Sequence, residues 1–475
     1  MIPLLLILIP LLSGLAVFLL KDSPASKALA LVSSLATLVL SLMAVFTKGA
    51  LTYDAAWLPG LGSRFSLLQD GMSKMLSLLT AISFPVVFVA TYKNVYQRSS
   101  AFYGLMLLTQ AGLLGVFLAS DALLFYFFWE LALIPVYFLC SIWGGEKRIA
   151  VTFKFFVYTF IGSLLMLVGL LYVYAQTADH SFAMQSFYHA NLPAHAQNGV
   201  FALFFIAFAI KMPIFPFHTW QPDAYEQSPT AVTMILSGVM VKMGIFAVIR
   251  WLLPMVPQGF HGHSMFVILL SVTGMIYASL IAIRQDDIKR LIAYSSIAHI
   301  GLMCAAIFVQ NQIGLEGVMI QMFNHGINVI GLWIVADVIE QQLGTRKFSE
   351  LGGLAQKAPV LAILFVIMAL ANVALPLTNA FVGEFLMFNG LFQYNGWIAA
   401  VAGISIILAA VYTLNTIQKI FYGNTVEKTV HAVEVSGNVQ WVLSILVLIV
   451  LVMGVYPQPM IELTKDTVSA IFANR

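Results

Sequence analysis

Charge is scarce in this 475-residue chain: Asp, Glu, Lys and Arg together make up 9% of it. A soluble domain of ordinary composition carries about 25%. Hydrophobic residues reach 61% and the mean hydropathy is +0.94. That balance excludes a water-soluble core. Cysteine is scarcer still. Cys140 and Cys304 lie far apart in apolar stretches, too few and too distant for a CxxC site, a disulfide framework or a four-cysteine iron–sulfur set. The formal charge of +3 comes without a basic cluster, which excludes a nucleic-acid partner.

What is present is a series of apolar runs, each about 20 residues long, the length of a bilayer-spanning helix and twice that of a barrel strand. The runs predict an all-α polytopic membrane protein. Fourteen segments are counted, at 2–20, 27–47, 72–92, 101–119, 121–143, 150–174, 199–219, 228–253, 264–283, 291–309, 314–340, 358–394, 398–422 and 438–461. The first has no basic leader and no small-residue cleavage pattern, so it reads as a retained helix. Links are short, and one transmembrane domain, 1–475, is expected.

Fifteen of the 23 basic residues fall in alternate loops, beginning with Lys21 and Lys27. By the positive-inside rule those loops face the cytoplasm and both termini face away from it. The loop after the seventh segment breaks the pattern, because it holds Asp223 and Glu226 and no base.

Two segments are interrupted. In the seventh, Lys211 ends an apolar run and Pro213 and Pro216 follow at once. The twelfth is broken near Pro376, Thr378 and Asn379, with Glu384 just beyond. Proline removes a helical donor and clashes with the preceding turn. Broken helices persist at membrane depth only where the freed backbone is buried in protein or lines a wet cavity. Paired breaks with an ionisable residue beside each point to two repeats with sites near the midplane.

An intramembrane charge costs about 3 kcal/mol or more unless paired or hydrated, so each one needs a reason. Glu130, in Phe128-Trp129-Glu130, has no nearby base in sequence and reads either as a neutral or structurally paired carboxyl or as a proton carrier. Lys211 and Lys242 are too central to snorkel easily, and burial disfavours the charged amine. Both are therefore candidates to take up and release protons. His299 and His325 occupy separate apolar segments between Lys242 and Glu384. Each alone reads as a hydrogen-bonded core histidine; together they suggest a relay, with Ser295, Ser296, Asn324 and Asn328 close by to hold water. Glu384 is the outlet end of that row or a helix-cap carboxylate. His218 and Asp223, after the proline break, fit a proton gate and a structural turn equally well. Asp286 and Asp287, among Arg284, Lys289 and Arg290, read as a salt-bridged turn. His180, His189, His195, His261 and His263 read as solvated, because no metal-ligand spacing accompanies them.

The set Phe128-Trp129-Glu130, Lys211 to Trp220 (Lys-Met-Pro-Ile-Phe-Pro-Phe-His-Thr-Trp), Val241-Lys242-Met243-Gly244, Ser295-Ser296-x-x-His299 and Asn324-His325-Gly326 resembles the antiporter-like proton-pumping subunits of respiratory complex I, over nearly the whole chain. Glu384 stands where the L- and N-type subunits and the cation/proton antiporters mostly carry lysine, so the resemblance is to the M-type branch. The likeness implies two inverted five-helix repeats with broken helices 7 and 12, spanning about 101–254 and 264–422. Helices 1–3 would occupy about 1–100, and the last helix and tail 438–475. It implies a proton path through Glu130, Lys211, Lys242, His299, His325 and Glu384, with Glu130–Lys211 as a coupling ion pair. It also implies a bacterial inner membrane with periplasmic termini and neighbouring L-type and N-type chains. Flavin (FMN), iron–sulfur clusters and quinone would sit in partner subunits, with no cofactor or metal in this one. Two other readings remain at this point: a subunit of a multisubunit Na⁺/H⁺ antiporter, and a subunit of a membrane-bound hydrogenase or formate-oxidising complex. A membrane anchor that conducts nothing would have no reason to carry such a row of charge.

Overall fold

In the computed structural model, which describes residues 1–473, the apolar runs form α1 (Ile2–Leu19), α2 (Pro24–Phe46), α3 (Gly71–Ala90), α4 (Ser99–Leu118), α5 (Ala122–Trp143) and α6 (Arg148–Gln176). They continue as α7 (Ala194–Lys211), α8 (Thr230–Met255), α9 (Pro257–Ile283), α10 (Ile288–Phe308) and α11 (Gln312–Leu343). The twelfth run is two helices, α12 (Pro359–Asn372) and α13 (Asn379–Tyr394), followed by α14 (Gly396–Phe421), α15 (Gly437–Val455) and α16 (Gln458–Ala473). Thirteen of these are long and apolar enough to cross a membrane. With α12 and α13 counted as one interrupted crossing, the total is the fourteen expected.

Helices α8, α10 and α11 form the centre. Every residue of the most apolar window of α8 and α11, and 94% of that of α10, is buried inside the protein. These helices are hydrophobic all round, which is the pattern of a helix surrounded by protein. In the outer helices α1, α2, α14 and α15 only a third of the same window is buried, as in lipid-facing helices.

Loop contacts sort the connections onto two faces. On one face Lys27 Nζ donates to Tyr92 O and Asn94 O, Trp143 Nε1 to Gln97 O, Lys147 N to Gln227 Oε1, and Gly353 N to Tyr422 O. This is the face of the basic loops, and it explains the acidic exception. Asp223 pairs with Lys154 (2.8 Å) and Arg290 (3.1 Å), and Glu226 with Arg290 (2.8 Å) and Arg346 (3.3 Å). The bases absent from that loop are supplied by its neighbours. Asp287 caps α10 and pairs with Arg346 of a neighbouring loop at 3.0 Å, and Asp286 accepts from Ser349, so the salt bridge expected with Arg284, Lys289 or Arg290 is made across loops instead.

Two elements lie outside the sequence expectation. Residues 51–69 form an antiparallel hairpin, β1 (Leu51–Leu58) and β2 (Ser63–Gln69), closed by a turn in which Gly62 adopts φ 68°. The last segment, expected to run to 461, ends at Val455, and the separate α16 packs on α3, with Gly71 against Leu463 O.

Candidate functional site

The break in the seventh segment falls at Lys211, the last residue of α7, and an irregular stretch leads to a short helix, Gln221–Gln227. Two carbonyls freed by the break are satisfied inside the protein: Trp220 Nε1 donates to Ile210 O at 3.0 Å and Lys154 Nζ to Thr219 O at 2.9 Å. The second break, Val373 to Thr378, places Ala374 (φ 58°) and Leu377 (φ 72°) in the left-handed region, which costs a non-glycine residue about 1 kcal/mol or more. Its loop is fixed from α11: Asn328 Nδ2 donates to Ala371 O at 3.3 Å and Asn324 Nδ2 to Asn379 O at 2.7 Å.

Four helices bring four of the expected residues into one row. Lys242 of α8 is fully buried; its ammonium donates to Ser237 O at 2.8 Å and to His325 Nδ1 of α11 at 2.7 Å. With Nδ1 accepting, the proton of His325 sits on Nε2 and donates to Ser296 Oγ of α10 at 3.2 Å. The His325 ring faces that of His299 on α10, centroid to centroid 5.5 Å. His299 Nδ1 in turn lies 3.0 Å from Glu384 Oε1 on α13. Glu384 therefore bonds into the interior instead of capping its helix. Gln321, one turn from His325 on α11, reaches the same carboxylate oxygen at 3.4 Å. It was not singled out from the sequence, although a buried glutamine in an apolar helix was there to be noticed.

Small residues make the row possible. Helices α8 and α11 approach closely at Gly238 and Gly326: a Cβ on Gly326 would lie 2.8 Å from Gly238 O. Gly317 and Gly383 do the same for α11 and α13, where a Cβ on Gly317 would meet Gly383 O at 2.8 Å. Helices in a membrane pack tightly through such residues because lipid supplies no hydrophobic push. Lys242 itself follows a π-helical turn, Leu236–Met240, and precedes a second, Val248–Leu252. Val241 N donates to Leu236 O, five residues back, while Ser237 O accepts the Lys242 ammonium.

The other half of the expected path is arranged differently. Lys211 is buried with its Nζ 5.5 Å from the Trp129 ring centroid, and that nitrogen has no hydrogen-bond partner among the described residues. Glu130 Oε1 is likewise buried without a partner, and the carboxyl interacts with Ser163 of α6. Each charge lies within the electrostatic reach of the other, yet they form no contact ion pair. The Glu130–Lys211 pair that the resemblance implies is therefore open in this structure, the two groups interacting without direct contact. The C-terminal turn of α7 rests on Gly244, whose added Cβ would meet Phe208 O at 2.7 Å, so Lys211 sits beside the turn that follows Lys242. His218 is buried against Phe215 and Tyr277, whereas Asp223 is held in its two salt bridges.

No group of three or more His, Cys, Asp or Glu side chains fit to hold a metal occurs among the described residues. Cys140 and Cys304 are buried, unbonded and on different helices, so these donors do not fit an iron–sulfur cluster.

Residues 119–409 match the sequence profile of a family described as NADH:quinone oxidoreductase/Mrp antiporter, transmembrane. NADH-quinone oxidoreductase subunit M of Rhodobacter capsulatus is 39% identical over 433 residues, covering 89% of this chain and 84% of that one. F(420)H(2) dehydrogenase subunit M of Methanosarcina mazei is 34% identical over 483 residues, covering 98% and 97%. A chain of respiratory complex I from Thermus thermophilus superposes with a TM-score of 0.90 at 30% identity, over 99% of this chain and 100% of that one. A chain of the Mrp complex from Dietzia sp. shares the fold, with a TM-score of 0.88 at 20% identity over 99% and 97%.

Proposed function

The chain belongs to the NADH:quinone oxidoreductase/Mrp antiporter transmembrane family, and from that premise we propose that it is the proton-translocating M-type membrane subunit of a respiratory NADH:quinone oxidoreductase. The observation that carries the reading is the row Lys242, His325, His299 and Glu384, two direct contacts joined by a 5.5 Å ring approach. A proton on Lys242 passes to His325 Nδ1 through an existing hydrogen bond. One bridging water closes the step between the imidazoles, and His299 delivers to the Glu384 carboxylate. Nothing in that sequence is redox chemistry. The flavin, iron–sulfur clusters and quinone of such a complex belong to partner chains, and the F(420)H(2) dehydrogenase relative fits a view in which the electron donor is a property of those partners.

In this reading Glu130–Lys211 is the coupling switch and its open form is one of its two states. Closing it lets the Glu130 carboxylate cancel the field of Lys211 at Lys242; opening it leaves the Lys211 cation uncompensated and drives the Lys242 proton onward. The basic face is cytoplasmic and both termini are periplasmic, in a bacterial inner membrane. L-type and N-type antiporter-like chains are the neighbours. The segments 101–254 and 264–422 act as two half-units, the first holding the switch and Lys242 and the second holding His299, His325 and Glu384, so the relay crosses from one to the other. His218 and Asp223 border the switch half on its cytoplasmic side.

The test uses inverted membrane vesicles in which the complex is the sole NADH:quinone route. Lys242→Ala is expected to assemble, and to lose proton uptake together with NADH-driven quinone reduction. Retention of both at the normal proton-to-electron ratio would refute the proposal.

A further inference from the structure

On the basic face, five connections surround a cavity of about 1250 Å³ whose lining includes Tyr96, Glu226, Asp287, Lys289, Asp337 and Glu340. Acids and bases are balanced around it, and the partly buried acids are paired. Glu226 and Asp287 contact Arg346, and Glu340 contacts Lys289 at 2.5 Å. Asp337 of α11 is the exception. It is more deeply buried, 7% exposed, and its contacts are neutral: the Asn94 amide at 3.3 Å and the Thr230 hydroxyl. Facing it from the packed elements are Tyr96, Lys289 and Glu340, none of which forms a contact ion pair with it among the described residues. A buried carboxylate with neutral partners is free to exchange protons with the cavity.

Thr230, the first residue of α8, begins a stripe. Thr233 and Ser237 follow at the spacing of successive helical turns, and all three are buried. Lys242 lies five residues after Ser237, which in a regular α-helix would carry it off that face. The i→i−5 bond from Val241 to Leu236 absorbs the extra residue, and Lys242 Nζ contacts Ser237 O at 2.8 Å. The stripe therefore runs from Asp337 to the proton row. Beside it lies Trp333, whose buried Nε1 has no hydrogen-bond partner among the described residues. Trp333 is one turn from Asp337 on α11 and packs on Tyr225, whose carbonyl accepts from Thr233 Oγ1 at 3.3 Å. Unpartnered buried polar atoms are the ones that internal waters bridge. Successive hydroxyls are separated by a rise of about 4.5 and 6 Å. Thr233 and Ser237 place their own hydrogens on backbone carbonyls, Tyr225 O and Thr233 O, which leaves each oxygen able to accept from a bridging water.

We infer that Asp337 is the proton-loading acid of a cytoplasmic inlet running along the Thr230–Thr233–Ser237 face of α8 to Lys242. The inference rests on the proton-translocation reading above. After Lys242 has given its proton to His325, its neutral amine takes one from the adjacent water. Each water and hydroxyl accepts a proton on oxygen and releases another, the Asp337 carboxyl loses its own, and the cavity restores it. The chain ends as it began, with one proton moved inward.

The test is a pH profile of the assembled complex in inverted vesicles, whose outer face is the cytoplasmic one. Asp337→Asn, with Asp337→Glu as the conservative rescue, is measured across external pH from about 6 to 9, with NADH-driven quinone reduction and proton uptake followed together. The expected result is a roughly tenfold lower rate for Asp337→Asn. The deficit grows as the pH rises and free protons become scarce, and Glu restores the rate. A wild-type rate and profile for Asp337→Asn overturns the inlet. So does an equal loss in Asn and Glu at every pH, which marks a structural role. If Asp337→Asn fails to assemble, Thr233→Val decides: the same alkaline-weighted deficit supports the inlet and an unchanged profile overturns it. Lys242→Ala in the same vesicles separates the two readings. A pumping Lys242→Ala defeats the function, whereas a dead one beside an unaffected Asp337→Asn defeats the inlet alone.

Discussion

Gly326→Ala is the smallest change that should break the proton row. The new methyl would lie 2.8 Å from Gly238 O and 2.7 Å from Leu79 Cδ1, where ordinary contact begins near 3.4 Å. Leu79 can rotate; the backbone carbonyl cannot. Helices α8 and α11 must separate by 3.4 − 2.8, about 0.6 Å, at a cost of about 1–3 kcal/mol in overpacking. The Lys242–His325 hydrogen bond bridges the same two helices. Added to its 2.7 Å, the separation gives about 3.3 Å, past the usual limit for N–H donors. Since a misplacement of 1 Å at a reacting centre costs about 10²-fold, this one should cost about tenfold in coupled turnover. Gly238→Ala is the control. Its methyl meets the flexible Ile330 side chain at 2.7 Å, while Gly326 O stays at 3.5 Å, so rotation of Ile330 relieves it. The assay is NADH:quinone turnover with fluorescence quenching of a ΔpH dye in proteoliposomes of the purified complex. A Gly326→Ala complex that assembles and pumps at the wild-type rate, or no worse than Gly238→Ala, would refute the geometry.

Three further outcomes follow from the same structure. Glu130→Gln removes one charge of the open pair and should lower proton uptake and quinone reduction together, by at least about tenfold; normal pumping would make Glu130 a structural carboxyl. Glu384→Gln leaves His299 Nδ1 facing a neutral amide. It should slow proton release more than Asn395→Gln, an exposed cap change at the far end of α13, slows anything. At the other face Arg250 bridges both oxygens of Asp70, which caps α3, at 2.7 Å each, with both side chains less than a fifth exposed. Arg250→Ala strands a partly buried carboxylate and should cost about 1–3 kcal/mol. Thermal unfolding of the purified complex would measure it, with Asp70→Asn/Arg250→Ala together losing less than the sum of the two.

The membrane architecture was legible because its signals are long. Apolar runs and the prolines at 213, 216 and 376 place the crossings and both breaks within a few residues. The site was legible as residue types and not as contacts. Nothing local says that Lys242 meets His325, 83 positions away, rather than Lys211 meeting Glu130. The π-turn that aims Lys242 has no composition signal, since Leu236-Ser237-Gly238-Val239-Met240 reads as ordinary helix. The hairpin at 51–69 did leave a trace. Leu51 to Leu58 alternates in burial and Pro59 to Gly62 is turn-forming, but only two strands of it fell between longer apolar runs that dominated the reading. Nothing in the sequence distinguishes Asp337 from a solvated charge near a helix end. Only the neighbouring loops, folded over it, show that it is buried.

The two halves of the path differ in a way that bears on mechanism. The relay half is closed, with Lys242 and Glu384 each in contact with a histidine. The switch half is open: Lys211 has only the Trp129 ring beneath it, and Glu130 leaves an oxygen unpartnered. Two unit charges at 4 Å interact by about 4 kcal/mol at an effective dielectric of 20, and by about half that at twice the distance. Opening or closing the pair therefore changes the local field energy by about 2 kcal/mol. Moving one proton against 100 mV requires about 2.3 kcal/mol. In the proposed mechanism the switch and the load are of the same order, so one ion-pair movement biases the direction in which the relay passes its proton. A tightly bonded pair at Glu130–Lys211 would serve this purpose less well, because every extra hydrogen bond to it raises the energy needed to open it.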